Sequence, residues 1–212
     1  HPGFRLTLPI LHGLIYAVLY GDLLLTLVNQ VKPYETTPGQ AEALAREWTR
    51  RLGSELGSGG KIRYRRILKN YQAILEGFAA IPRKARDTVK VGVVGEIFVK
   101  YSPLGNNNLE AFLVREGAEV VTPGLLDFCL YCVYNMQEDY RLYGNHALTI
   151  PFIRFAYKLL CRKKRDIIDL MRAQGVFQPW TPFEDTAKMA GGYIHQGTKM
   201  GEGWLLTAEM LE

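Results

Sequence analysis

The sequence predicts a helix-rich α/β fold: a helical N-terminal portion over residues 1–88, then a small, open, parallel sheet of Rossmann or flavodoxin type with its helices over residues 89–212. Three observations lead there. Apolar residues recur at helical spacing from Leu11 to Phe78. A β-branched run bounded by charge then begins at Val91, the pattern of a strand buried on both faces. A second short run, Glu119 to Thr122, follows one loop and one helix later, and that order asks for a right-handed crossover with parallel pairing.

Taken in order, the first helix covers Leu11 to Val31 and stops at Lys32-Pro33-Tyr34-Glu35, because the residue before a proline disfavours the helical region. The second runs from Pro38 to Leu56. Thr37 is its candidate N-cap, Pro38 sits at its first position, and Ala41, Leu44, Ala45, Trp48 and Leu52 share a face. Gly53, Gly57, Ser58, Gly59 and Gly60 form a loop. A third helix, Ile62 to Phe78, places Ile67, Leu68, Tyr71, Ile74, Leu75 and Phe78 together and ends before Pro82, with Arg83, Lys84 and Arg86 as a solvated linker. The strand Val91 to Val99 opens the second half, followed by the loop Lys100 to Asn106. The next helix, Asn107 to Glu116, turns Leu109, Phe112 and Leu113 inward and ends at Gly117. After the second strand, helices are expected at Leu125–Leu142, Thr149–Gln174 and Gly201–Glu212. Only two strands are evident, so the sheet is either small or incomplete.

With 48% hydrophobic and 22% charged residues, the composition excludes a disordered, collagen-like or disulfide-scaffold chain. A net charge of +5 suits anionic ligands such as nucleotides or coenzyme A and is too small an excess for nucleic-acid binding. Three cysteines and no secretory pattern point to a reducing compartment, with cytoplasm as the expectation. Leu6 to Val31 nearly reaches the length of a membrane span, but Pro9, His12, Gly13, Gly21 and Asp22 interrupt it. A carboxylate in hydrocarbon costs roughly 2.5–3.5 kcal/mol, so the run reads as a buried helix and no membrane is expected. The opening His1-Pro2-Gly3, and a last helix without a stop signal, read as the ends of a piece of a longer polypeptide.

Chemistry concentrates in Tyr101-Ser102-Pro103-Leu104-Gly105-Asn106-Asn107-Asn108. Beyond a strand's carboxyl end, Ser102, Asn106, Asn107 and Asn108 would offer donors to a phosphate, thioester or carboxylate; equally, asparagines serve turns and caps. Glu96 is either a solvent-exposed strand-end residue or a carboxylate aimed at that crevice. Gly201 and Gly203, at the start of the last helix, form a second anion-site candidate or a plain flexible connection. Cys129 and Cys132 have C-x-x-C spacing, but they lie in an apolar helix with only Cys161 besides, too few ligands for a zinc site. Arg162-Lys163-Lys164-Arg165 reads as a solvated helix face.

Long ordered motifs carry a resemblance. They are Gly21-Asp22-Leu23-Leu24, Lys32-Pro33-Tyr34-Glu35, Val94-Gly95-Glu96, Ser102 to Glu110, Gly117 to Val121 and Gly201 to Met210. Together these resemble the family of 2-hydroxyacyl-CoA dehydratase components and CoA-substrate-specific enzyme activases, and most closely an uncharacterised domain of the large activase-related proteins. The resemblance implies a cytoplasmic system of anaerobes in which an ATP-dependent activase with an iron–sulfur cluster passes one electron to a dehydratase acting on a 2-hydroxyacyl-CoA. It implies acyl-CoA or a related anion as ligand, with dehydratase or activase subunits as partners. The cysteine-rich segments and paired phosphate loops of that family are not recognisable here. The cluster and the ATP site are therefore expected elsewhere on a longer protein, with no cofactor in this stretch and no catalysis by it alone. The alternative is a structural module joining activase to dehydratase.

Overall fold

The computed structural model describes residues 7–58 and 62–212; His1-Pro2-Gly3, Leu6, Gly59 and Gly60 fall outside them. The chain forms two compact units, one ending at Arg86 and the other spanning Asp87–Glu212.

The first unit contains three helices, α1 (Leu8–Val31), α2 (Gln40–Gly57) and α3 (Tyr64–Ala79). Tyr16, Leu19, Tyr20, Leu23, Leu27 and Val31 make one buried stripe on α1, facing Trp48 and Leu52 of α2 and Ile67, Tyr71, Ile74 and Phe78 of α3. The Tyr20 and Tyr71 rings lie 5.0 Å apart, and the Tyr20 hydroxyl accepts from Asn70 Nδ2 at 3.1 Å. Burial pushes that phenol well above its ordinary range. The start of α2 differs from expectation. Gly39, in the left-handed region, stands at the N-cap position. Glu35 supplies the cap, its carboxylate accepting from the N–H groups of Gly39 (2.5 Å) and Ala41 (2.8 Å); a carboxylate there opposes the positive end of the helix dipole. α1 is the one helix among the described residues long and apolar enough to cross a bilayer; its first two turns leave Leu8, Leu11 and Leu14 exposed.

In the second unit the expected Rossmann or flavodoxin-like sheet is not what forms. The described chain is 67% helical, and its sheet is two parallel strands of three residues each, β1 (Lys90–Gly92) and β2 (Glu119–Val121), with Val91 opposite Val120. The strand expected over Val91–Val99 ends early because Gly95 sits in a bend and Glu96 starts a helix, α4 (Ile97–Tyr101), accepting the Val99 N–H at 3.1 Å. β1 is also not buried on both faces: Lys90 and Gly92 are exposed and Val91 is half-buried. A short helix α5 (Leu109–Arg115) leads to β2. Thereafter α6 (Leu125–Tyr143), α7 (Ile150–Gln174), α8 (Phe183–Met189) and α9 (Gly203–Leu211) build the core, with single 3₁₀ turns at Ala190–Gly192 and Met200–Glu202.

The core of this unit is aromatic. Trp204, fully buried, lies 5.0 Å from Tyr131 and 5.4 Å from Tyr134 between ring centroids, and its indole N–H donates to Asn135 Oδ1 at 3.0 Å. Phe183 closes the cluster 6.1 Å from Trp204. Both long helices have clear stop signals; α7 ends at Gly175, whose φ of 68° is open to glycine without strain. The basic run on α7 is solvated only in part: Arg162 and Arg165 are exposed, whereas the two lysines between them are not. Lys163 and Lys164 are buried, Lys164 binds Asp127 at 2.6 Å, and Arg165 binds Glu184 at 3.1 Å.

Candidate functional site

The connection between α4 and α5 is built by its own polar side chains. Ser102 accepts the Asn106 N–H on its carbonyl (3.1 Å) and the Gly105 N–H on its hydroxyl (3.3 Å). Gly105 is required by close approach: a Cβ there would lie 2.8 Å from the Phe98 ring and 2.9 Å from the Phe98 carbonyl oxygen. Asn106 is spent on architecture, donating from Nδ2 to the Val99 carbonyl (2.9 Å) and accepting the Leu109 N–H on Oδ1 (3.2 Å). Asn107 and Asn108 both adopt left-handed φ values, 55° and 57°, which asparagine tolerates better than other non-glycine residues. Their exposed side chains face a surface pocket of about 540 Å³, lined by Asn106, Asn107, Asn108, Leu109, Ala111, Phe112 and Arg115. The Arg115 guanidinium stands 5.5 Å from the Phe112 ring centroid. Amides, an aromatic face and an arginine on one rim suit an anionic ligand with a flat or apolar portion.

Sequence reading named the asparagines and missed the other half of this pocket. Phe112 was expected to point inward, yet it is 46% exposed and lines the pocket one turn from Asn108. Arg115 lies one turn further, and the signal was available: asparagine, phenylalanine and arginine recur at i, i+4 and i+7, a single helix face. Glu96 is exposed, caps α4 and does not line the pocket.

Gly201 and Gly203 lie apart from it. Gly201 has φ 58°, and a Cβ at Gly203 would meet the Thr198 carbonyl oxygen at 3.0 Å; that carbonyl accepts the Trp204 N–H. These glycines let the turn before α9 pack against itself. Glu202, between them, is also left-handed (φ 60°) and buried, with its Oε2 unpartnered. Cys129 and Cys132 are half-buried on α6, and Cys161 is buried on α7. Burial, with Glu202 nearby, pushes the Cys132 thiol up, so it is a poor thiolate. Among the described residues no three His, Cys, Asp or Glu side chains converge as a metal site.

A charged core lies behind the pocket segment. Lys100 Nζ reaches both carboxylate oxygens of Glu209, at 2.7 and 3.0 Å, and both side chains are sealed from solvent. Burial holds the Glu209 carboxyl up at about 7; Lys100 pulls it down, while Asp127 and Glu202 add to the rise. Against these side chains and this fold, no family model, no curated protein and no solved structure matches the chain.

Proposed function

We propose that this chain is the ligand-binding part of a protein of the 2-hydroxyacyl-CoA dehydratase and activase kind, cytoplasmic in setting, with the Asn106–Arg115 pocket receiving the anionic portion of an acyl-CoA. The observation that supports this reading is the convergence of Asn107, Asn108, Phe112 and Arg115 on one pocket of about 540 Å³. Free amides there would hydrogen-bond phosphate or carbonyl oxygens, Phe112 would meet an apolar or planar part, and Arg115 would oppose negative charge. Arg115 is 73% exposed at its side chain, so its attraction is screened and binding is expected to weaken with salt. Among the described residues no three His, Cys, Asp or Glu side chains converge, so Cys129, Cys132 and Cys161 do not assemble an iron–sulfur site there, and in this reading the role of the pocket is to bind the acyl-CoA.

Titration calorimetry with acetyl-CoA tests it. The expected result is saturable binding that Asn107→Ala with Asn108→Ala abolishes and Arg115→Ala weakens about tenfold, the loss of one charge-assisted contact of roughly 1.5 kcal/mol. Binding that survives both variants unchanged refutes this pocket as the site. The second reading, a module that joins activase to dehydratase, draws on a different observation: Phe152, Phe155 and Leu159 form an exposed apolar row along α7, preceded by the exposed Leu148.

A further inference from the structure

Between Val94 and Gly117, every residue but one is exposed or half-buried. That stretch contains α4, the asparagine loop and α5, which has no buried residue at all. Apolar packing therefore gives it little purchase on the rest of the unit. The exception is Lys100, 1% exposed, whose ammonium is held by both oxygens of Glu209. Glu209 is itself fixed on a helix whose Trp204, Leu205 and Ala208 are fully buried. The remaining charges around it are accounted for: Asp127 is bound by Lys164, and Glu202 adds a second negative charge. Two lighter ties flank the anchor, the Tyr101 hydroxyl donating to the Pro123 carbonyl (2.5 Å) and Thr122 donating to Glu110 (2.6 Å).

From Lys100 to the pocket the path is short. The Lys100 N–H donates to the Glu96 carbonyl, and the carbonyl of the adjoining Val99 accepts Asn106 Nδ2. Asn106 in turn caps Leu109, so the orientation of α4 is passed to the residues that carry Asn107 and Asn108. We infer that Lys100 and Glu209 are the positioning pair of this pocket: their buried ion pair, rather than an apolar contact, holds residues 94–117 in the arrangement that assembles it. The inference takes the pocket to be the ligand site proposed above. When one partner is removed the other is left as a buried uncompensated charge, and α4 with its loop is far freer to leave than α9 is.

Hydrogen exchange on the whole chain reads this without any ligand. In Lys100→Met, and separately in Glu209→Gln, the amides of Lys100, Ser102, Asn106, Asn108 and Leu109 should lose about tenfold or more of their protection, while those of Ile167, Ile168 and Met171 on α7 keep theirs within about twofold. With acetyl-CoA, Arg115→Ala should weaken binding less in the Lys100→Met background than alone, because the pocket is no longer assembled. Unchanged protection at the loop overturns the inference. So does equal loss at α7, or collapse of both variants, since the pair would then be a general support of the core. A wild type that binds no acetyl-CoA yet shows the local loss refutes the proposed function and leaves the positioning pair standing; binding without the local loss does the reverse.

Discussion

Replacing Glu202 by glycine should stabilise the second unit, although the substitution deletes a buried side chain. Glu202 has φ 60° and ψ 22°, is 9% exposed, and its Oε2 has no hydrogen-bond partner. A left-handed non-glycine residue is strained by roughly 1–2 kcal/mol, which glycine relieves. An orphaned buried polar atom costs about 1–3 kcal/mol, which disappears with the side chain. Against these stand roughly 0.5–1 kcal/mol for the greater freedom of glycine in the unfolded chain and about 1.6 kcal/mol for two buried methylenes. The balance favours the variant by about 1 kcal/mol, a rise of roughly 4 °C in the midpoint for a unit of this size. Scanning calorimetry on the whole chain is the assay, with the transition of this unit identified by its response to Phe183→Ala, a core truncation. Glu202→Ala separates the contributions, since alanine removes the orphaned oxygen and keeps the strain. A midpoint lowered by more than about 2 °C in Glu202→Gly would show that the carboxylate makes a favourable interaction, and the strain argument would fail.

Three further outcomes follow from the same contacts. Because burial raises the Glu209 carboxyl from 4.5 to about 7, the folded state holds that proton more tightly than the unfolded one. Below pH 4.5 the carboxyl is buried neutral at no cost, and ionising it as pH rises through 7 costs global stability even with Lys100 beside it. The urea midpoint should therefore fall over that window and Glu209→Gln should flatten the slope; the ion pair fixes where α4 lies without adding net stability. Gly105→Ala forces a Cβ to within 2.9 Å of the Phe98 carbonyl and should cost about 1–3 kcal/mol in urea unfolding; an unchanged midpoint would mean the loop relaxes freely. Burial pushes the Cys161 thiol to about 11, so alkylation by iodoacetamide at pH 8, followed by mass spectrometry, should find it protected in the folded chain and fully modified in urea.

The helices were legible because their signals are local. Shared apolar faces marked α2 and α3, and α6 and α7 end at Tyr143 and Gln174, within a residue of the expected bounds, where Gly144 and Gly175 take left-handed φ values. The sheet was over-read for an equally local reason. Val91 to Val99 is a β-branched run by composition, but a strand of that length needs neighbours on both sides, and only Val120 and its two flanking residues are there to pair. With so few partners, the glutamate at position 96 caps a helix instead, and the apolar residues after it are left outward, Phe98 at 59% exposed. Glu35 shows the same limit at smaller scale. Thr37 satisfied the sequence preference for an N-cap, yet the carboxylate two residues earlier reaches the N–H groups of Gly39 and Ala41 across the turn.

For the pocket, the asparagines were visible as residues and misjudged as a set. Asn106 is held by the backbone on both sides, and Asn107 and Asn108 are present first because their φ values require them. Lys100 and Glu209 were harder still: a lysine between Val99 and Tyr101 and a glutamate between Ala208 and Met210 are each unremarkable alone, and 109 residues separate them. Their shared oddity is a single charge inside an apolar stretch. A charge so placed is stable only if an opposite one meets it, which makes two such residues of opposite sign a long-range pairing signal that neither periodicity nor propensity carries. The same reasoning explains why an ion pair sits where a leucine would pack. An apolar side chain can slide against its neighbours, whereas an ammonium held by two carboxylate oxygens fixes where α4 lies along α9, and a loop lacking an apolar anchor of its own takes its position from that constraint.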